Sequence, residues 1–102
     1  MLNKYLESRV ELDLTEGITS NGRIQLEYYL IESESGQSYS FNEDKVYGIE
    51  IVKKESDNHA ECEIVRNFSS SKENTMGMLN ILAKNTVTPI ELSFVLDDLM
   101  AL

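Results

Sequence analysis

Apolar and polar residues alternate along two stretches near the start of the chain, residues 2–14 and residues 23–33. In the first stretch the apolar positions are even: Leu6, Val10, Leu12 and Leu14. In the second stretch they are Ile24, Leu26, Tyr28 and Leu30. Because successive side chains of a strand point to opposite faces, this period predicts two strands with one buried face each. Turn residues between them predict antiparallel pairing.

A second pair of alternating segments, residues 46–53 and 59–67, flanks a polar turn and predicts a β-hairpin. We expect Ile51 to lie opposite Cys62, with Ile64 also pointing inward, because a shift of one residue would place Ile51 against Glu63. This register also sets Glu50 against Glu63, a like-charge pair that costs stability. The apolar match decides the predicted register. Residues 38–41 alternate briefly and are the candidate for a fifth strand.

The apolar positions take the period of a helix after residue 70. Ser70 and Glu73 predict a capped start for a first helix, and Asn85 is expected to close it in the left-handed conformation. The sequence Thr88-Pro89-Ile90-Glu91 predicts a capping box at the start of a second helix. Two capped helices joined by a short turn form an αα-hairpin.

The second helix has two apolar stripes, which is more than a helix resting on a sheet needs. The first stripe contains Leu92, Val95, Leu96 and Leu99. The second, on roughly the opposite side, contains Ile90, Phe94 and Ala101. Either this helix is wedged between the sheet and the first helix, or its second stripe contacts another chain.

These elements predict an α+β fold in a single domain, residues 1–102. An antiparallel sheet of four to five strands over residues 2–68 is followed by an αα-hairpin over residues 70–101, packed on one face of the sheet.

The charge of the chain restricts its partners. A formal net charge of −9 disfavours nucleic acid and anionic membranes, both of which attract clustered Lys and Arg. No apolar run approaches the roughly 20 residues of a membrane span. The single cysteine, Cys62, excludes an intramolecular disulfide and fits a reducing compartment. We therefore expect a cytoplasmic protein that binds neither nucleic acid nor a membrane.

The residues that usually carry chemistry are few. His59 and Cys62 are the only histidine and cysteine, and three residues apart on a strand they point to opposite faces. They are too few for a zinc site, and no phosphate-binding glycine loop or calcium loop is recognisable. We expect Cys62 to be a small core residue. No cofactor, metal or catalytic residue is predicted, and whether the protein is an enzyme stays open, with the balance against it.

Exposed aromatic and apolar side chains are the candidates for contact with other chains. Tyr5 and Tyr29 fall on the wetter face of their strands, although cross-strand packing explains them equally well. Tyr29 and Ile31 also break the polar face of their strand, which predicts cover on both sides there. The candidate interaction residues are Ile90, Phe94, Ala101, Tyr5 and Tyr29.

Three functions remain open. The leading hypothesis is a non-enzymatic protein-interaction or regulatory domain that associates with itself, for instance as a homodimer, or with another protein. The alternative is a small enzyme or ligand-binding domain with a polar site that the sequence does not mark. A weaker alternative is an acidic mimic of nucleic acid, which requires carboxylates at regular spacing on one face.

The chain resembles an uncharacterised family at VYGIEIVKK, residues 46–54, and at LAKNTVTPI, residues 82–90. The family consists of small bacterial proteins of about this length, mostly from anaerobic Firmicutes, and is a domain of unknown function. The resemblance implies a bacterial, cytoplasmic, single-domain protein and carries no catalytic residue. After Thr-Pro-Ile, where the resemblance suggests a histidine, this chain has Glu91.

Overall fold

The computed structural model describes residues 2–14, 22–34, 45–55 and 59–100. Its elements are, in chain order, β1 (Asn3–Leu14), β2 (Gly22–Glu34), β3 (Lys45–Glu55), β4 (Ala60–Ser69), α1 (Lys72–Lys84) and α2 (Leu92–Met100). The strands form one antiparallel sheet in the order β1-β2-β3-β4, and the helices follow it in the chain. The predicted α+β class is confirmed, with four strands in the described residues. The candidate fifth strand, residues 38–41, lies outside them.

The core lies between one face of the sheet and the two helices. Its buried residues include Leu26, Tyr28 and Leu30 of β2, Ile49 and Ile51 of β3, Leu79 and Leu82 of α1, and Leu92 and Leu96 of α2. Burying one such aliphatic side chain contributes about 1.5–3 kcal/mol, so this cluster holds the helices on the sheet. We call this face of the sheet the helix face and the opposite one the outer face. Neither described helix is long and apolar enough to cross a membrane.

The pairing of β3 with β4 differs by one residue from the predicted register. Ile51 lies opposite Glu63, and Ile49 lies opposite Val65. Val65 packs against the core, whereas Glu63 is exposed, because β4 is an edge strand and its side chains can turn into water. The predicted pairing of Ile51 with Cys62 is therefore wrong.

Electrostatics explains the shifted register. The predicted pairing sets Glu50 against Glu63, whereas the observed one places these carboxylates on opposite faces of the sheet. It also pairs Lys53 with Glu61, which have opposite charges. Cys62 consequently lies on the outer face, opposite Val52, and is exposed. The prediction that Cys62 is a core residue is wrong for this reason.

A bulge in β4 follows the Ile49–Val65 pair. Asn67 within it has a φ of 55°, in the left-handed region that asparagine tolerates better than most residues. The bulged backbone lies so close to Gly48 that a Cβ atom there would be 2.4 Å from the Val65 carbonyl oxygen. Phe68, the last residue of this irregular stretch, packs against the core. Glycine at position 48 thus permits the close approach that brings Phe68 inward.

A bulge at Glu7 changes the faces of the first residues of β1. Tyr5 lies opposite Leu30 on the helix face, and Leu6 lies opposite Tyr29 on the outer face. The uninterrupted alternation predicted for this strand places Leu6 inward and Tyr5 outward. Both assignments are wrong because the extra residue inverts the alternation.

Helix α1 is capped one residue later than predicted. The side-chain oxygen of Ser71, not of Ser70, accepts a hydrogen bond from the Asn74 backbone nitrogen at 3.2 Å. At the other end, Asn85 has a φ of −96°, and the left-handed residue is Thr86, with a φ of 49°. The Val87 nitrogen donates to the Leu82 carbonyl oxygen at 3.0 Å, a bond characteristic of a Schellman motif. The predicted left-handed Asn85 is wrong by one position.

Candidate interaction surface

Helix α2 is buried on one side and exposed on the other. Leu92 and Leu96 face the core, with exposed fractions of 0% and 6%. Phe94 is 71% exposed, and Ile90, four residues earlier, is 68% exposed. Ile90 lies in the turn that leads into α2 and Phe94 in the first turn of the helix, so the start of α2 presents two exposed apolar side chains, the apolar patch. The alternative in which both stripes of this helix are buried within the chain is wrong.

Three carboxylates flank this patch. At about 100° per helical residue, Asp97 lies about 60° to one side of Phe94, and Glu91 and Asp98 lie about 40–60° to the other. All three residues are exposed. Within the described residues none of the three forms a salt bridge. We call Ile90 and Phe94, with these three carboxylates, the α2 surface.

The Glu91 carboxylate also shapes the chain ahead of α2. Its Oε1 atom accepts hydrogen bonds from the Thr88 hydroxyl at 2.8 Å and from the Thr88 backbone nitrogen at 3.1 Å. These bonds, the hydroxyl's first, hold the pKa of Glu91 below its usual value. The backbone bond is one half of the predicted capping box. The other half differs, because the hydroxyl donates to the carboxylate instead of accepting from the backbone.

The α2 surface stands on a well-anchored turn. The Glu91 nitrogen donates to the Thr88 carbonyl oxygen at 3.1 Å, which forms a tight turn before the regular helix begins at Leu92. Val87 and Pro89 within this turn are buried. Tyr28 of the sheet donates a hydrogen bond to the Val87 carbonyl oxygen. These contacts fix the position of Ile90 even though its own side chain is exposed.

Two open grooves meet at Phe68, where the end of β4 passes the helices. The larger groove has a volume of about 490 Å³. On the α1 side it is lined by Glu73, Asn74, Gly77, Met78 and Ile81. The smaller, about 280 Å³, is lined on the α2 side by Ser93, Leu96 and Asp97. Each groove contains one carboxylate and no basic residue. The smaller groove adjoins the α2 surface, because Asp97 belongs to both.

The outer face of the sheet is organised around a buried carboxylate, Glu27, which is 2% exposed. Its Oε2 accepts from Arg9 Nη2 at 3.1 Å and from Gln25 Nε2 at 2.9 Å, and its Oε1 accepts from the Tyr29 hydroxyl at 2.8 Å. Lys54 Nζ lies 3.2 Å from Oε1. Burial by itself would raise the pKa of Glu27, but these donors outweigh it and the pKa lies below its usual value.

Tyr29 belongs to this network, so its side chain already makes contacts within the chain. The Lys4 ammonium lies 4.2 Å from the centre of the Tyr29 ring and 2.7 Å from the Glu50 carboxylate. The hydrogen bond with Glu50, more than any other influence, raises the pKa of Lys4. The network joins β1, β2 and β3, and it buries Tyr29 partly beneath Lys4. Ile31 on the same face is 2% exposed, which confirms the predicted cover at that end of β2.

The histidine and the cysteine do not form a site in the described residues. His59 Nε2 lies 3.4 Å from the Glu61 carboxylate, and Cys62 is exposed on the outer face. Nowhere in the described ranges do three or more His, Cys, Asp or Glu side chains lie together in a way that could hold a metal ion.

Residues 8–102 match the family of unknown function DUF6514. The chain belongs to this family. The predicted resemblance to an uncharacterised family is thereby confirmed, and the bacterial origin stays a prediction. No curated protein and no solved structure matches the chain. Membership in DUF6514 covers the whole helical hairpin and most of the sheet, and it assigns no activity.

The structure brings together two of the five predicted contact residues, Ile90 and Phe94. Ala101 lies outside the described residues, and Tyr5 and Tyr29 lie on opposite faces of the sheet. Sequence reasoning missed Phe68 as the residue between the two grooves, because the β4 bulge that places it is not marked by the alternation. It also missed the burial of Glu27, which occupies an ordinary polar position in the pattern.

Proposed function

We propose that this protein is a non-enzymatic interaction domain that binds another polypeptide chain through the α2 surface. The observation that carries the proposal is the exposure of Phe94 and Ile90, 71% and 68%, at the start of α2 in a small domain. Large apolar side chains clustered on a surface mark sites that a partner covers. Aromatic residues in such clusters supply much of the binding energy in protein interfaces.

The outer face of the sheet is less suited to the same task. The Glu27 carboxylate and the Tyr29 hydroxyl are already hydrogen-bonded to each other, and Lys4 covers the Tyr29 ring. A partner on this face would have to displace bonds that are already made, which costs binding energy. The α2 surface requires no such exchange at its apolar centre.

Self-association, which the sequence predicts, is one form of this proposal, with a homodimer as the simplest assembly. A cytoplasmic location is part of the proposal as well. Its support is the exposed free thiol of Cys62, which fits a reducing compartment.

Two alternatives receive less support. An enzyme needs titratable groups that converge in one cleft, and each groove beside Phe68 contains a single carboxylate. A nucleic-acid mimic needs a row of unpaired carboxylates. On the outer face, however, Glu27 is paired with Arg9 and Lys54, and Glu50 with Lys4.

The test combines solution mass with selection of ligands. Light scattering over a range of concentrations compares the wild type with Phe94→Glu, and a displayed peptide library is selected on the wild type. A dimer that Phe94→Glu converts to a folded monomer supports the proposal, as does a selected peptide whose affinity falls at least about tenfold with Phe94→Glu. Leu6→Glu is the matched control, because it adds the same charge at an apolar residue, 43% exposed, on the outer face. A monomer that yields no ligand sensitive to Phe94→Glu overturns the proposal, as does equal sensitivity to both variants.

A further inference from the structure

The charges around Ile90 and Phe94 determine what kind of chain can cover them. Asp97 lies on one side of the apolar patch, and Glu91 and Asp98 lie on the other. The sequence from residue 85 to residue 102 contains no Lys or Arg to neutralise them. A chain lying across Phe94 therefore meets carboxylates on both sides.

Glu91 is a permanent part of this charge. The Thr88 hydroxyl and backbone nitrogen both donate to its Oε1 atom and hold the carboxylate in place beside Ile90. The neighbouring smaller groove adds no positive charge, because its lining residues contain Asp97 and no basic side chain. The negative rim thus contains one carboxylate that is held in place, and it continues into the groove next to it.

A second copy of the chain fits this rim poorly. If two α2 helices pack antiparallel about Phe94, Glu91 of one faces Asp98 of the other. If they pack parallel, Asp97 of one faces Asp98 of the other. Like charges placed opposite each other across an interface oppose association. The net charge of −9 on each chain adds repulsion over the whole approach.

We infer that the occupant of the α2 surface is a basic amphipathic segment of a different polypeptide, with an apolar stripe that covers Ile90 and Phe94 and Lys or Arg on both flanks. This inference rests on the proposed function and specifies its partner. The apolar stripe supplies affinity, and the flanking cations supply the rate of association and the selection against other chains. The binding mode is that of an amphipathic helix whose apolar residues are spaced by three and four. Anionic lipid and nucleic acid, in contrast, would be repelled by the same three carboxylates.

The test uses two synthetic helical peptides with the same leucine stripe. One has lysine at every flanking position, and the other has glutamate there. Binding is measured by fluorescence anisotropy at low and at high salt. We expect the wild type to bind the lysine peptide and to bind the glutamate peptide at least about tenfold more weakly. We expect added salt to reduce this difference in affinity, because salt screens the charges.

Two double variants separate the rim from the net charge. Asp97→Lys with Asp98→Lys reverses the charge of two of the three rim residues. It is expected to lower the affinity for the lysine peptide at least about tenfold and to raise the affinity for the glutamate peptide. Glu7→Lys with Glu11→Lys makes the same change in net charge at two exposed residues of β1. Strand β1 forms one edge of the sheet and β4 forms the other. Residues of α2 line a groove together with β4, so the β1 substitutions lie at the far edge of the sheet. The β1 double variant is expected to change either affinity less than threefold. Equal effects of the two double variants would overturn the inference.

Oligomeric state and peptide binding together distinguish a wrong partner from a wrong interaction surface. A wild-type homodimer that Phe94→Glu dissociates leaves the proposed function standing and overturns the basic partner. Equal binding of the lysine and glutamate peptides, lost in Phe94→Glu, has the same meaning. A monomer that binds neither peptide and selects no ligand overturns both.

Discussion

The Tyr28 hydroxyl donates a hydrogen bond of 2.9 Å to the carbonyl oxygen of Val87. Tyr28 lies in the middle of the sheet and Val87 in the turn between the helices, so the bond joins residues 59 positions apart. It is a direct polar link between the sheet and the segment that presents Ile90. Burial of the Tyr28 side chain, and next the nearby charge of Glu91, raise its pKa to about 12.

Tyr28→Phe is expected to reduce the free energy of unfolding by about 1–2 kcal/mol, because it leaves a buried carbonyl oxygen without its donor. The same residue predicts an alkaline transition. An unfolded tyrosine ionises near 10 and the folded one near 12, so stability falls as the pH rises from 10 to 12. Denaturant unfolding between pH 8 and pH 11.5 measures both effects. The variant should lose less stability than the wild type in the alkaline range. Parallel curves for the two proteins would contradict the assignment to Tyr28.

Glu27→Gln is expected to lower the free energy of unfolding by about 2 kcal/mol, because an amide cannot accept from every donor that surrounds the carboxylate. The cost stays at the lower end for a buried ion pair, since the Arg9 and Lys54 side chains are 52% and 53% exposed and can regain water. The matched control is Glu11→Gln, an exposed carboxylate on the same face, with an expected change within about 0.5 kcal/mol.

The same carboxylate predicts an acid dependence of stability. Its folded pKa is depressed below the ordinary value of 4.5, so its contribution is present above that pH and is lost as the pH falls below it. Urea unfolding from pH 7 to pH 2.5 should show a smaller acid loss in Glu27→Gln than in the wild type. If the two proteins lose stability in parallel, the pKa of Glu27 is the same in the folded and the unfolded chain, which would contradict its predicted depression.

The central strands follow directly from the sequence, but the edge strands do not. The alternation of Leu26, Tyr28 and Leu30 assigns the helix face of β2 correctly, because the helices cover every second residue of this strand. At β4 the stabilisation from an apolar cross-strand pair and the cost of a like-charge pair are each at most about 1 kcal/mol. Counting apolar matches therefore cannot select the register. The bulges at Glu7 and beside Gly48 then change side-chain faces without any break in composition.

Gly48 and Gly77 form a matched pair for substitution, because an added Cβ atom meets opposite surroundings at the two positions. Gly48→Ala would place a Cβ atom 2.4 Å from the Val65 carbonyl oxygen, and we expect a loss of about 2–3 kcal/mol in the free energy of unfolding. Gly77 in α1 has no atom within 4 Å of the added Cβ, so Gly77→Ala should stabilise by about 0.5–1 kcal/mol through helix propensity. Thermal and urea unfolding of both variants check the signs. A neutral Gly48→Ala would show that β4 does not bulge against this position.

The candidate site was partly readable in the sequence. The spacing of Ile90 and Phe94 on a side of α2 opposite Leu92 and Leu96 marks a second stripe, and the structure leaves this stripe exposed. The position of Phe68 could not be read, because it depends on the β4 bulge. Nor could the contacts of Tyr29 be predicted, since they are made by Glu27, two residues earlier in β2, and by Lys4 of the neighbouring strand β1.

The residue with a left-handed backbone at the end of α1 is Thr86 in the structure and Asn85 in the sequence prediction. Glycine substitutions at the two positions distinguish these assignments. Thr86 is β-branched and has a φ of 49°, a conformation that costs an ordinary residue about 1–2 kcal/mol. Thr86→Gly removes this strain, although glycine makes the unfolded chain more flexible and the hydroxyl bond to Asn85 is lost. We expect a net stabilisation of about 0.5–1 kcal/mol.

Asn85→Gly is the neighbouring control. Asn85 has a φ of −96°, so glycine relieves no strain there, and the Asn85 Nδ2 bond to the Ile81 carbonyl oxygen at 2.8 Å is lost. We expect this variant to lose about 1 kcal/mol. Urea unfolding of the two variants measures both changes against the wild type. The opposite signs, a stabilised Asn85→Gly and a destabilised Thr86→Gly, would show that Asn85 holds the left-handed position. The turn ahead of the α2 surface would then differ from the one described.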